Sequence, residues 1–321
     1  MVMAGVNPAF RSTASLVATA LVGVVFGACG GSVPTAATQG YPESGLVLLS
    51  LKDGSLHASA SIGKDPVAVV VSGDGKTAFV ADSAPGDVYA VRLPGLTVEW
   101  KQHVGGAPFG LLLHGGRLFV SLFDGAAVVE LDPSSGAQLA THPVPQGPAA
   151  IAVDAEGRVV VAGTRGKLDV IGGGELAAGN GFGVAMAGGQ LWSADYERAE
   201  LVPVGDDHRV GLPLPVFPFW LAPGTGDTLL VAAEGAIEDS DPGGVFSFDP
   251  MTNAFKTLAL PKDPDQVLQS GSTIFVAAHG DRDILAIRGA RTMAWAPGAP
   301  AVALAPDPSQ DLLVVVVSGH E

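Results

Sequence analysis

The chain ends in "DLLVVVVSGHE", in which residues 312–317 read as one apolar strand with no partner downstream. Earlier, in "DGKTAFVADSAPGDVYAVRL", a strand of the same kind is followed by a turn and a further strand. A repeat that stops halfway limits the possible folds, because an open strand edge exposes backbone donors and acceptors and invites aggregation. The missing half stands near the other terminus. "GLVLLSLKDGSLHASASIG", residues 45–63, reads as a strand, a turn at Lys52–Gly54 and a second strand, and it leads directly into Pro66. Two strands from each end of the chain complete one four-stranded sheet.

The intervening sequence supplies the other sheets. A turn with Pro or Gly followed by a short apolar strand recurs at Pro66, Pro108, Pro148, Phe182, Pro218, Pro264 and Pro300, at spacings of 42, 40, 34, 36, 46 and 36 residues. Each start leads through a Gly- or Asp-containing hairpin to a second strand: TAFVA, RLFVSL, RVVVAG, QLWSA, TLLVAA, TIFVAA and LLVVVV. A polar loop, a third strand such as DVYAVRL or GVFSFD, and a weaker fourth strand follow. Four short strands in about 40 residues, repeated, mark a β-propeller. The 44 glycines and 24 prolines suit many tight turns, and no sustained helical period appears beyond the N-terminus. The expectation is an all-β, seven-bladed β-propeller whose last blade is closed by two C-terminal plus two N-terminal strands.

The repeat resembles the YVTN-type seven-bladed propeller family. "VAVVVSGDGKTAFVADSAPGDVYAVRL" (67–93) is similar to that family's strand, Asp-Gly-Lys turn and strand ending in Val-Ala, and "FSFDPMTNAF" (246–255) to its Thr-Asn turn. The resemblance covers about residues 45–321 and implies the fold. For function it implies little more than a WD40-like scaffold for binding.

The N-terminus carries an address. Arg11 precedes an apolar run from about Ala14 to Phe26, followed by Gly27, Ala28 and Cys29. Length and flanks suit an export signal rather than a spanning helix. The ending resembles a bacterial lipobox, with Phe26 in place of the usual leucine. That resemblance implies lipidation of Cys29, which is the single cysteine of the chain. An ordinary signal peptide with an incidental cysteine is the alternative. Residues 1–28 are thus expected to be a lipoprotein signal peptide, 29–44 a flexible tether and 45–321 the propeller. The protein would sit in the cell envelope, extracytoplasmic, meeting the membrane only through its lipid.

A net charge of −15 would repel a nucleic-acid backbone. It leaves a cationic partner or a metal ion open, and it also serves plain solubility. In a propeller, the loops joining second to third strands and those joining blades emerge on one face, where ligands are expected. Blade five has the longest such loop, with Glu234, Glu238, Asp239 and Asp241, and the adjoining inter-blade segment adds Asp263 and Asp265. Blade six adds His279, Asp281, Arg282 and Asp283. Hard oxygen donors of this kind suit Ca²⁺, and they also read as a solvated acidic rim. A site built from His279, His320 and nearby acids is a further option. "PVFPFWLAP" gathers Phe217, Phe219 and Trp220 into a candidate stacking platform at the channel mouth, or into inter-blade packing. No haem-attachment motif, nucleophile elbow or phosphate loop is present. Two functions therefore stand at this point. One is a monomeric, cofactor-free binding module taking a protein, peptide or glycan on its loop face. The other is a lactonase-like, metal-assisted hydrolase using the acidic loops.

Overall fold

The computed structural model describes residues 41–319 apart from Gln146, Glu238, Asp239 and Pro308. The expected signal peptide with Cys29, most of the expected tether, and His320 lie outside the described residues. The chain begins with β1 (Gly45–Ser50) and β2 (Leu56–Ala60). Blade one follows as β3 (Pro66–Val71), β4 (Thr77–Asp82), β5 (Asp87–Arg92) and β6 (Thr97–His103). Blade two is β7 (Pro108–His114), β8 (Arg117–Leu122), β9 (Ala127–Leu131) and β10 (Gln138–Pro143). Blade three is β11 (Pro148–Val153), β12 (Val159–Gly163), β13 (Lys167–Val170) and β14 (Gly174–Ala177). Blade four is β15 (Val184–Ala187), β16 (Gln190–Asp195), β17 (Glu200–Pro203) and β18 (Val210–Gly211). Blade five is β19 (Phe217–Pro223), β20 (Leu229–Glu234), β21 (Gly244–Asp249) and β22 (Ala254–Ala259). Blade six is β23 (Pro264–Ser270), β24 (Thr273–Ala278), β25 (Asp283–Arg288) and β26 (Arg291–Trp295). β27 (Ala301–Asp307) and β28 (Leu312–Val317) end the chain.

The seventh sheet runs β2-β1-β28-β27, so the two ends complete one blade. β1 lies antiparallel to β28 in unbroken register from Gly45↔Val317 to Ser50↔Leu312. The other six sheets each take four consecutive strands. The fold is therefore the expected seven-bladed propeller.

Packing explains why β28 is a continuous apolar run instead of an alternating one. All six of its residues are buried, because a neighbouring blade covers each face. Leu313, Val315 and Val317 join Phe275, Ala277 and Ile284 of blade six. Leu312, Val314 and Val316 join Val69, Val80 and Val91 of blade one. Burying a Leu or Val in this way contributes about 1.5–3 kcal/mol relative to leaving it in water. The outer strands see solvent and alternate: β6, TVEWKQH, is mostly exposed.

Polar contacts reinforce closure on both flanks. Arg288 of blade six donates to the carbonyls of Lys52 (2.8 Å) and Leu51, at the turn between β1 and β2. Gln310 Nε2 donates to the carbonyl of Gly75 in blade one at 2.7 Å. Gly75 sits at φ 71°. A Cβ there would lie 2.1 Å from Ser309 Oγ, so this turn needs glycine for both its conformation and its contact.

Candidate functional site

Six of the seven blades repeat one local device at the loop face. In six inner strands the pairing skips residues just after the start, between Pro66/Ala68, Pro108/Leu111, Pro148/Ile151, Pro218/Trp220, Pro264/Gln266 and Ala301/Ala303. Such a bulge bends the strand and re-aims a side chain. Aligned on the pairing, the equivalent residues are Val67, Phe109, Ala149, Phe182, Phe219, Asp265 and Val302. A second equivalent position closes or directly follows each second strand: Ser83, Phe123, Thr164, Tyr196, Glu234 (the last residue of β20), His279 and Ser318. Its backbone N–H is tied to the residue just before the inner strand in four blades and, in blade four, to Asn180, four residues before β15. The pairs are Ser83 to Asp65, Phe123 to Ala107, Tyr196 to Asn180, His279 to Asp263 and Ser318 to Pro300.

Aromatic side chains occupy both positions in blades two and four and the first position in blade five. Phe182 is the hub, with ring centroids 6.1 Å from Phe109, 6.1 Å from Phe123, 6.0 Å from Tyr196 and 5.0 Å from Phe219. Phe109 of blade two reaches Phe182 of blade four past blade three, where the equivalent residue is only Ala149. That contact requires the rings to converge near the propeller axis. Phe217 extends the arc, 5.4 Å from Tyr196. All six rings are partly exposed.

The arc turns polar at blade five. Tyr196 donates its phenolic proton to Glu234 Oε2 at 2.6 Å, and Glu234 is buried at the end of β20. Blade six replaces the apolar bulge residue with Asp265. His279 Nδ1 stands 3.3 Å from Asp265 Oδ2 and 3.7 Å from Asp263 Oδ2. Among the described residues, these three are the metal-ligating side chains that come together.

The sequence-marked residues distribute as follows. Phe217, Phe219 and Trp220 lie in β19 and not in a loop. Phe217 and Phe219 join the arc, whereas Trp220 packs half-buried against the core between blades three and four and the core between blades five and six. Of the acidic candidates, Glu234 sits beneath Tyr196 and His279 belongs to the blade-six cluster. Asp241 lies in a turn, its N–H bonded to the carbonyl of Ile237 at 2.9 Å. Exposed Asp281 accepts the Lys262 N–H at 3.0 Å and braces the inter-blade loop. Asp283 opens β25, where burial and then the neighbouring Asp281 push its carboxyl above the usual range. Glu238 and Asp239 lie outside the described residues. Phe109, Phe123, Phe182 and Tyr196 were not marked as site residues from the sequence, where Phe182 figured only as the start of a repeat, and Asp263 and Asp265 were noted there only as neighbours of the long loop.

No protein-family model matches the chain, and no curated protein does. Solved structures do. Hydrazine synthase of Kuenenia stuttgartiensis aligns with TM-score 0.63 at 12% identity, over 83% of this chain and 100% of that one. The periplasmic gluconolactonase PpgL of Pseudomonas aeruginosa aligns with TM-score 0.59 at 14% identity, over 86% and 97%. BamB of Moraxella catarrhalis aligns with TM-score 0.51 at 16% identity, over 88% and 94%. These likenesses show the propeller fold alone. Proteins of such different names share it, so any function must be argued from the site.

Proposed function

We propose that this chain is a non-catalytic binding module of the cell envelope, anchored through a lipid on Cys29, that takes a partner on its loop face. The observation that carries the reading is the arc of six partly exposed rings converging at the axis. Aromatic faces give large contact area at low entropic cost and are enriched where proteins bind. Glu234 accepts a hydrogen bond from the hydroxyl of Tyr196 in the arc, and Asp263 and Asp265 face His279 in the next blade. These carboxylates favour a protein or peptide partner with basic side chains over a neutral glycan, by charge complementarity.

The test is a pull-down from envelope extract with the full chain and with Phe182→Ala/Phe219→Ala. Proteins retained by the wild-type chain should be lost by the double variant and kept by a Val98→Ala/Leu139→Ala control on the outer strands. Equal retention by all three chains, or none by wild type, refutes the reading.

A second reading, metal-assisted hydrolysis on the same face, is favoured by the meeting of Asp263, Asp265 and His279. It differs from the first in requiring turnover.

A further inference from the structure

The geometry points to a divalent-metal site at the channel mouth, formed by His279 Nδ1 with one carboxylate oxygen each from Asp263 and Asp265. Among the described residues two other histidines face carboxylates, and they serve as internal controls. His103 Nδ1 lies 2.9 Å from Asp87 Oδ1, and His142 Nε2 lies 2.6 Å from Glu130 Oε1. Both are ordinary hydrogen-bond distances. His279 differs: one nitrogen faces two carboxylates and stands off from them by 3.3 and 3.7 Å. Donors about 2.1 Å from a tetrahedral ion lie about 3.4 Å from each other, which falls between those values. The side chains are 22%, 18% and 10% exposed for His279, Asp265 and Asp263, so the donors are shielded without being sealed off.

Position within the repeat supplies a second argument. At the bulge position every other blade carries an apolar residue, and blade six alone carries a carboxylate. Setting Asp265 beside Asp263 places two like charges within 4.8 Å of each other, and a cation offsets that repulsion. The donor set also selects the ion. Ca²⁺ takes six to eight oxygens, whereas an imidazole beside two carboxylates suits Zn²⁺, Co²⁺ or Mn²⁺. For this cluster a first-row transition ion therefore fits better than Ca²⁺, the ion for which the acidic loops left room. Three protein donors leave at least one coordination position open to solvent or to a partner's side chain.

The experiment is calorimetric titration of the chelator-treated full chain with Zn²⁺, and with Co²⁺ to read its visible spectrum. One ion per chain is expected at this site. His279→Ala and Asp265→Asn should each weaken it at least tenfold, and His142→Ala should leave it unchanged. Absence of saturable binding overturns the proposal, as does binding that both variants retain or that His142→Ala weakens equally. Should the variants fail to fold, the wild-type chain still decides. With labelled histidine, Zn²⁺ must shift the ring resonances of a histidine, and a titration that shifts none overturns the site. The ion is measured without any loop-face partner, so this inference and the binding reading can fail separately.

Discussion

Leu48→Ala tests the closure of the ring directly. Leu48 lies on β1, paired with Val314 of β28, and is fully buried. It packs with Leu46, Val314 and Val316 of its own blade and with Val80 and Val91 of blade one. Truncation removes three carbons from a site walled by two sheets, and neither sheet can move in without breaking its ladder. The transfer and cavity costs together come to about 2–5 kcal/mol. At roughly 2 °C per kcal/mol for a domain of this size, the melting temperature should fall by about 4–10 °C. Val98→Ala, on an outer strand and 42% exposed, should stay within about 0.5 kcal/mol of wild type. Thermal and urea melts followed by circular dichroism would read both. The shape of the transition matters as much as its midpoint. If the terminal strands close the ring, the whole domain melts earlier in one step. An early minor transition with the main melt unmoved would mean that β1 merely docks on an already stable body, and the closure argument would be wrong.

Two further outcomes follow from buried carboxylates. Asp87 is almost fully buried, which opposes its ionisation. Lys101 at 2.6 Å and His103 at 2.9 Å outweigh burial and hold its carboxyl below the usual range. A depressed folded pKa contributes stability above the unfolded value of about 3.9, and that stability is lost as pH falls through the lower folded value. Asp87→Asn should therefore cost about 1.5–3 kcal/mol at pH 7, with the gap to wild type narrowing below about pH 4 in urea melts; an equal gap at pH 7 and pH 3 contradicts the assignment. Tyr196→Phe removes the phenolic donor from Glu234 and should cost about 1–3 kcal/mol, but much less in a Glu234→Ala background. Equal costs in the two backgrounds would show that the 2.6 Å contact carries no energy.

The ring was legible in the sequence because a propeller blade is written as a local pattern. Second strands such as TLLVAA are covered on both faces and stay apolar throughout, and the hairpin turns between strands are marked by Gly and Asp. Closure could be read by matching an unfinished last repeat to a stray strand pair in residues 45–63. The site was less legible for a geometric reason. Acidic density drew attention to the long loop around Asp241, but rim loops diverge from the axis, whereas inner-strand starts converge on it. Asp263 and Asp265 are only two acids in sequence, yet they flank Pro264 at one of those starts. The arc was half visible: Phe217 and Phe219 are neighbours in the chain, while Phe109, Phe123, Phe182 and Tyr196 each stand alone. The missed signal was positional. Phe109 follows its repeat's start by one residue and Phe123 and Tyr196 follow the ends of their second strands, while Phe182 falls in line with Phe109 only once the fourth repeat is started at Gly181 and not at Phe182.

That alignment works as a comparison of seven relatives inside one chain. Blades one and seven put valine at the bulge, which shows that valine satisfies the packing there. Phe109, Phe182 and Phe219 exceed that need, and their rings meet each other across blade boundaries instead of filling separate cores. Asp265 departs further, since a carboxylate near the axis loses hydration that valine never had and must recover it from a partner. A blade under selection for packing alone has no use for either change. Both changes fall on the same face, and they are contiguous around the ring. The aromatic run ends at Phe219 of blade five, Glu234 follows in the same blade, and Asp265 with His279 comes next in blade six. One ligand lying across the axis would meet rings on one side and charge on the other, and the fixed geometry of seven closed sheets holds that division in place.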